Sequence, residues 1–135
     1  MPKLSCVLLV DDDATTNYLN QLLLKRMDVA DQLLVALNGQ EALALLHQHG
    51  PPPQALSPVL ILLDVKMPVM DGFAFLEAFN QLPARYRQAV VVVMLSTSLH
   101  PRDVARAQLF GIGSFLSKPL TADKVNEVLQ AHFGA

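Results

Sequence analysis

Short apolar runs recur along the chain, and segments with the apolar spacing of a helix separate them. The runs are hydrophobic almost without interruption, which is typical of strands covered on both faces of a parallel sheet. We therefore predict an α/β fold with a doubly wound, five-stranded parallel sheet and helices on each side. The predicted strands are Leu4–Val10, Gln32–Leu37, Pro58–Leu63, Ala89–Leu95 and Ser114–Leu116.

Five helices are predicted, one after each strand. The first carries an apolar stripe at three- and four-residue spacing. This stripe consists of Leu19, Leu22, Leu23 and Met27. The other four helices begin at residues that favour a helix start, namely Asn38 with Glu41, Asp71, Pro101 and Thr121.

The length and composition predict a single domain over residues 1–135. A chain with 52% hydrophobic and 16% charged residues has enough apolar surface for one core. The segment Gly50–Pro58 contains three consecutive prolines and can neither continue a helix nor enter a central strand. We expect it to be an exposed, stiff loop, too short in proline to be a convincing polyproline ligand.

Charge and hydropathy argue against nucleic-acid binding and against membrane insertion. The net charge of −2 provides no basic field for nucleic acid or an anionic membrane. The longest apolar runs fall far short of the roughly 20 residues that a spanning helix needs. Cys6 is the only cysteine, and no signal-peptide pattern opens the chain. We therefore expect a cytoplasmic protein without an intrachain disulfide, in which Cys6 is a buried strand residue.

Polar residues follow four of the predicted strands. In an open parallel sheet, ligands bind beyond the carboxyl ends of the strands, so these residues are candidates for one common site. They are Asp11, Asp12 and Asp13 after the first strand, Asp64 after the third, Ser96 and Thr97 after the fourth, and Lys118 with Pro119 after the fifth.

These side chains combine carboxylates, hydroxyls and one ammonium. Clustered carboxylates repel one another unless a cation compensates them, and hard oxygen ligands favour Mg²⁺ over zinc. A lysine and a hydroxyl are natural partners of a phosphoryl group, and an aspartate can be its acceptor. Taken alone, Asp13 is better explained as a helix N-cap, Ser96 as a strand-end hydrogen bonder and Lys118 as a solvated charge. Their joint occurrence at successive strand ends favours phosphoryl transfer to a carboxylate.

The pattern resembles the response-regulator receiver family of two-component signalling, which includes the single-domain chemotaxis regulators. The resemblance covers essentially the whole chain and implies a flavodoxin-like strand order of 2-1-3-4-5. It rests on Leu8–Asp12, on Leu62–Pro68 with Met70–Gly72, on Met94–Ser96, and on Phe115–Pro119.

The resemblance implies a phosphorylated aspartate beside a divalent cation. Asp64 would be the phospho-acceptor. Asp11 and Asp12 would hold Mg²⁺, or another cation such as Mn²⁺, together with Asp64 and the backbone carbonyl of Lys66. Asp12 would be the more direct ligand, and Asp11 would act partly through water.

Further residues take their expected roles from the same resemblance. Lys118 would pair with the phosphoryl oxygens, and Ser96 would move to hydrogen-bond one of them. Phe115 would be the switch aromatic, and the Lys118–Pro119 bond would be cis. Lys66 and Ser98 occupy the positions that tune access of the hydrolytic water.

The family also implies the partners. A sensor histidine kinase or histidine phosphotransfer protein would donate the phosphoryl group, and the chain would catalyse only its own phosphorylation and dephosphorylation. A downstream protein would bind the face of the fourth helix, fifth strand and fifth helix, and the chain would be a monomer or a phosphorylation-linked dimer. This face would present Arg102, Arg106, Lys124 and Glu127.

Two alternatives stay open. Asp11-Asp12-Asp13-Ala14-Thr15 matches the Asp-x-Asp-x-Thr motif of haloacid-dehalogenase-type phosphatases, in which Asp11 would be the nucleophile, but this leaves Asp64 without a role. A receiver-like scaffold that is never phosphorylated is the second alternative. For the histidines, surface or packing roles are favoured over ligand or relay roles. They are His47, His49, His100 and His132.

Overall fold

The computed structural model describes residues 3–49, 58–88, 90–112 and 114–134. Within these ranges five parallel strands form one sheet in the order β2-β1-β3-β4-β5, so the predicted fold class and strand order are confirmed. The strands are β1 (Leu4–Val10), β2 (Ala30–Ala36), β3 (Val59–Asp64), β4 (Val90–Ser96) and β5 (Ser114–Ser117).

Six helices accompany the sheet in the described ranges: the five predicted helices, and one further short helix that was not predicted. The helices are α1 (Ala14–Met27), α2 (Gly39–His49), α3 (Gly72–Phe79), α4 (Ala84–Gln88), α5 (Pro101–Leu109) and α6 (Ala122–Phe133). The missed helix, α4, has only five residues and no apolar stripe of its own. Its buried Tyr86 donates a backbone hydrogen bond to Pro83, and the Arg87 side chain donates to the Leu82 carbonyl.

Several predicted strand boundaries also shift. Strand β2 begins two residues earlier than predicted and ends at Ala36, because the Leu37 N–H is taken by the Glu41 carboxylate of the next helix. Strands β3, β4 and β5 each end one residue later than predicted, at Asp64, Ser96 and Ser117, and β3 begins at Val59 rather than at Pro58. Residues 50–57 of the predicted proline loop and Ala89 lie outside the described residues.

The central strands alternate their side chains between two apolar layers. Leu8, Ile61 and Met94 face one layer, which includes residues of α2, α3 and α5. Val7 and Leu62 face the other, which includes residues of α1 and α6. Both faces of β1, β3 and β4 are therefore buried, as their continuous hydrophobicity predicts. No helix in the described ranges is long and apolar enough to cross a membrane.

The apolar stripe predicted for α1 is only partly correct. Leu23 and Met27 pack against the core, but Leu19 is 57% exposed and Leu22 is 41% exposed. The fully buried positions are Asn17 and Leu24. A polar residue thus occupies the inward face of the helix, which a pattern based on apolar residues misses.

Helix starts follow the sequence closely. Asp13, Asp71 and Thr121 each accept a backbone N–H from the first turn of the helix that follows. Pro101 lies in the first turn of α5, where a residue without a backbone N–H loses no helical hydrogen bond. The Lys118–Pro119 bond is cis, as predicted.

The predicted packing roles of three histidines are supported by contacts. The His100 ring accepts the Arg102 N–H at the start of α5, and His132 shares a hydrogen bond of 3.0 Å with Ser114. His47 lies edge-on to Tyr86. The side chain of His49 lies outside the described part of the chain.

Cys6 lies in β1, as predicted, but is only partly buried. Burial raises the pKa of its thiol to about 11. The thiol is therefore protonated at neutral pH and poorly suited to act as a nucleophile.

The turn after β3 contains one tight glycine and one residue in an unfavourable conformation. A Cβ on Gly72 would lie 2.5 Å from the Asp64 carbonyl oxygen, so only glycine lets α3 start against the end of β3. Val69 has φ of 67° and is 79% exposed. The left-handed region is costly for a β-branched residue.

We expect Val69→Gly to raise the free energy of unfolding by about 0.5–1 kcal/mol, because glycine adopts positive φ without a steric penalty. Urea denaturation of both proteins measures the difference. Leu99→Gly is the matched control, since Leu99 is also an exposed apolar loop residue but is not among the positive-φ positions. It should lose stability, and a loss in Val69→Gly as well would contradict the prediction.

Candidate functional site

The carboxyl edge of the sheet brings three aspartates together. Asp11 and Asp12 follow β1, and Asp64 ends the neighbouring strand β3. Carboxylate oxygens of the three residues lie within 4.8 Å of one another. Asp11 and Asp64 are buried, whereas Asp12 is exposed. The sequence prediction of a shared site at these positions is therefore supported by the geometry.

Lys118 lies between two of these carboxylates. Its Nζ is 2.6 Å from Asp11 Oδ2 and 3.1 Å from Asp64 Oδ1. Burial lowers the pKa of Lys118, but the hydrogen bond and charge of Asp11, together with Asp64, outweigh that effect and raise the pKa. The Lys118 side chain is therefore a charged ammonium at neutral pH. It is paired with two carboxylates and is not the solvated charge that the residue taken alone would suggest.

The ionised form of Asp64 is disfavoured despite this partner. Burial raises its pKa, the charge of Asp11 raises it further, and the attraction of Lys118 only partly opposes them. The ionised carboxylate thus lacks sufficient positive charge around it. A further cation, or a reaction that changes its charge, would relieve this imbalance.

Two neighbouring groups hold Asp11 in place by hydrogen bonds. Asn17 donates its side-chain amide to the Asp11 carbonyl at 2.8 Å, and the Asp13 N–H donates to Asp11 Oδ1 at 2.9 Å. Asp13 itself accepts N–H groups of Thr15 and Thr16 as the N-cap of α1. Its plainer interpretation as a cap is therefore confirmed. Asn17 was not identified from the sequence, because nothing in its surroundings distinguishes it from a surface asparagine.

The three carboxylates form an all-oxygen donor set that suits a hard divalent cation such as Mg²⁺. The exposed position of Asp12 leaves one side open for the waters that Mg²⁺ retains. Lys66 follows two residues after Asp64, with its side chain exposed at the same edge. Participation of its backbone carbonyl stays a prediction.

Ser96 ends β4, next to β3 in the sheet. Its hydroxyl donates to the Ser98 carbonyl at 2.8 Å and accepts the Ser98 N–H at 3.1 Å. The buried hydroxyl is therefore engaged within its own loop rather than with Asp64. Phe115, in register with Met94, is half-buried and packs against the layer of α2, α3 and α5.

A cavity of about 480 Å³ opens over these groups. Asp64, Lys66, Ser96 and Lys118 line one part of it. Its other walls come from the loop after β4 and the start of α5, and they include Thr97, Ser98, His100, Arg102 and Asp103. Of these, His100 and Asp103 were not predicted as site residues, and Arg102 was predicted only for the output face, because the sequence does not show which way the first turn of α5 faces.

We expect Asp64→Asn to raise the free energy of unfolding at neutral pH, because it removes a buried charge whose folded-state pKa is raised. A raised carboxyl pKa means that the folded state binds its proton more tightly, so wild-type stability recovers as pH falls through that pKa. The gap between the two proteins should therefore shrink in acid. Urea denaturation at neutral and acidic pH measures it, with exposed Asp31→Asn as control. A gap that is constant with pH would contradict the expectation.

Comparison with known proteins gives consistent results. A family model described as the response regulator receiver domain matches residues 7–130. Response regulator Rcp1 of Synechocystis sp. is 33% identical over 112 residues, which cover 83% of this chain and 75% of that protein. The probable chemotaxis protein CheY of Rhizobium etli is 30% identical over 129 residues, covering 96% and 92%.

The fold agrees with this assignment. The crystal structure of a two-component response regulator from Cytophaga hutchinsonii superposes with a TM-score of 0.85 at 28% identity, covering 99% of this chain and 100% of that one. The matched region contains all four strand ends that form the acidic site. This chain therefore belongs to the response regulator receiver domain family.

Proposed function

We propose that the chain is a stand-alone response regulator in which Asp64 accepts a phosphoryl group from the phosphohistidine of a sensor histidine kinase or histidine phosphotransfer protein. The observation that carries this proposal is the position of Asp64 between the Lys118 ammonium and two further carboxylates, under an open cavity. The buried carboxylate has a nucleophilic oxygen and a cationic partner within reach. In this proposal, residues 1–135 form one signalling domain.

In the proposed reaction, an Asp64 oxygen attacks phosphorus while the bond from phosphorus to the histidine nitrogen breaks. The imidazole nitrogen keeps that electron pair. A Mg²⁺ or Mn²⁺ ion held by Asp11, Asp12, Asp64 and the Lys66 carbonyl would neutralise charge on the transferring oxygens. Lys118 would then exchange its bond with the Asp64 carboxylate for one with a phosphoryl oxygen.

The same product provides a signal. A phosphoryl group adds a charge of about −1.5 to −2 by analogy with other phosphorylated side chains. The Ser96 hydroxyl, now bonded to the Ser98 carbonyl, would turn to a phosphoryl oxygen and change the loop that leads into α5. This would shift a pre-existing equilibrium between two conformations, and the Phe115 side chain would change its rotamer at the same time. Lys66 and Ser98, on the walls of the cavity, would set how fast water removes the group.

The output face would be formed by α5, β5 and α6, the counterparts of the fourth helix, fifth strand and fifth helix of the prediction. Arg102 and Glu127 are exposed there. Arg106 is exposed as well, and its guanidinium lies 4.3 Å from the centre of the Phe73 ring, so it links α5 to α3. Of the four charged residues predicted for this face, only Lys124 is partly buried.

Incubation with acetyl phosphate and Mg²⁺ should increase the intact mass of the chain by one phosphoryl group, and Asp64→Asn should abolish the gain. Acetyl phosphate tests the acceptor without requiring the unknown kinase. Asp103→Asn, which removes a carboxylate from the wall of the same cavity, is the matched control and should still gain mass. An unchanged wild-type mass, or the same gain in Asp64→Asn, would rule out the proposed acceptor.

Asp12→Asn should weaken Mg²⁺ binding about tenfold or more, because even partners that only orient metal ligands contribute 10–100-fold. Isothermal titration calorimetry measures the affinity. Asp13→Asn is the matched control, since Asp13 is adjacent but caps α1. It should bind Mg²⁺ as the wild type does. Equal affinities in wild type and Asp12→Asn would argue against the proposed ligand set.

The two alternatives make different predictions. A haloacid-dehalogenase-type phosphatase would turn over a phosphate ester in a manner abolished by Asp11→Asn but not by Asp64→Asn. The role of Asp13 as a helix cap disfavours it, because the second acid of that motif is already engaged. A scaffold would bind its partner equally with and without a phosphoryl mimic on Asp64.

A further inference from the structure

Lys124 is not the free surface charge that the sequence suggests. It lies in the first turn of α6, and its Nζ donates to the Ser117 carbonyl at 2.7 Å, the Pro119 carbonyl at 3.0 Å and the Ser117 hydroxyl at 3.2 Å. An ammonium has three donors, and all three are used here. The side chain is accordingly only partly exposed.

These acceptors lie on either side of Lys118. Strand β5 is at the edge of the sheet, so carbonyls that point away from β4 have no strand partner. Lys124 provides a donor for two carbonyls of this segment. On the opposite side, the Lys118 N–H donates to the Ser96 carbonyl at 2.7 Å. The backbone that carries Lys118 is thus fixed from both sides, once by β4 and once by the Lys124 ammonium.

Lys118 needs such support because its side chain is long and flexible. Its ammonium makes two contacts with carboxylates from other strands, at 2.6 Å and 3.1 Å. A displacement of the backbone by a fraction of an ångström would loosen one of them. Hydrogen bonds that involve a charged group are stronger than those between neutral groups, so the three from Lys124 can hold the segment against such a displacement.

We propose that Lys124 is a positioning residue for phosphoryl acceptance: by bonding the Ser117 and Pro119 carbonyls, it holds the Lys118 ammonium against Asp64. The effect of Lys124 on the reaction rests on the proposed function, whereas its effect on the position of Lys118 does not. Lys124 touches neither Asp64 nor the cavity above it among the described contacts, so it acts through Lys118 alone.

Lys124→Met retains the length of the side chain and removes its donors. We expect it to slow phosphorylation by acetyl phosphate at saturating Mg²⁺ by about tenfold, because small misplacements of a reacting group cost up to about a hundredfold. Lys25→Met, an exposed lysine in the last turn of α1, is the matched control and should react at the wild-type rate. A wild-type rate in Lys124→Met would overturn the proposal.

A double-mutant cycle separates positioning from a general effect on the fold. If Lys124 acts through Lys118, then Lys124→Met should cause no further loss in a Lys118→Met background. Losses that multiply would mean that Lys124 affects the rate by another route and would overturn the proposal. Thermal unfolding of each variant shows whether it is folded at the assay temperature.

A measurement without phosphorylation tests the structural part. In ¹⁵N-lysine-labelled protein without Mg²⁺, the Lys118 ammonium should give a slowly exchanging proton signal, because two carboxylates hold it; Lys118→Met identifies the signal. Lys124→Met should broaden it, and Lys25→Met should leave it unchanged. An unaltered signal in Lys124→Met would overturn the proposal. If the wild type accepted no phosphoryl group, only the proposed function would fail, and this signal would still decide the role of Lys124.

Discussion

The ammonium of Lys118 lies between two carboxylates that belong to different strands, Asp11 after β1 and Asp64 at the end of β3. The whole acidic site depends on this shared cation, because two buried aspartates so close together would otherwise repel each other. One ammonium does not balance three carboxylates, and burial first and the charge of Asp11 second raise the pKa of Asp64 in spite of Lys118. The site is thereby suited to attract a divalent cation and a reactive phosphoryl group in turn.

The sheet makes this arrangement possible by separating apolar packing from polar chemistry. Strands β1, β3 and β4 are buried on both faces over most of their length, and the polar residues of the site appear where the strands end. The burial that stabilises the sheet therefore also fixes the positions of the charges at its edge. The tight turn at Gly72 serves the same end, since it brings α3 directly against the Asp64 backbone.

The elements that would respond in the proposed switch bury fewer residues than the central strands do. The Ser96 hydroxyl bonds within its own loop, and α5 buries a single residue, Ala107, although the Arg106 side chain contacts Phe73 on α3. Strand β5 is short and lies at the edge of the sheet. Under the proposed function, a change at Asp64 would be transmitted through these elements without disturbing the central strands, as expected for two conformations that differ by a few kcal/mol.

The sequence by itself determined the strands, the helix caps and the residues at each strand end, because hydrophobic periodicity and capping are local properties. Asp11, Asp64, Ser96 and Lys118 could all be identified in this way. Only the tertiary structure decided which of them touch, since Lys118 and Asp11 are 107 positions apart. It also decided that α1 buries Asn17 in place of Leu19, and that Lys124 bonds the backbone beside Lys118 rather than facing solvent. These contacts depend on how helices and strands pack across the sheet, which local patterns do not encode.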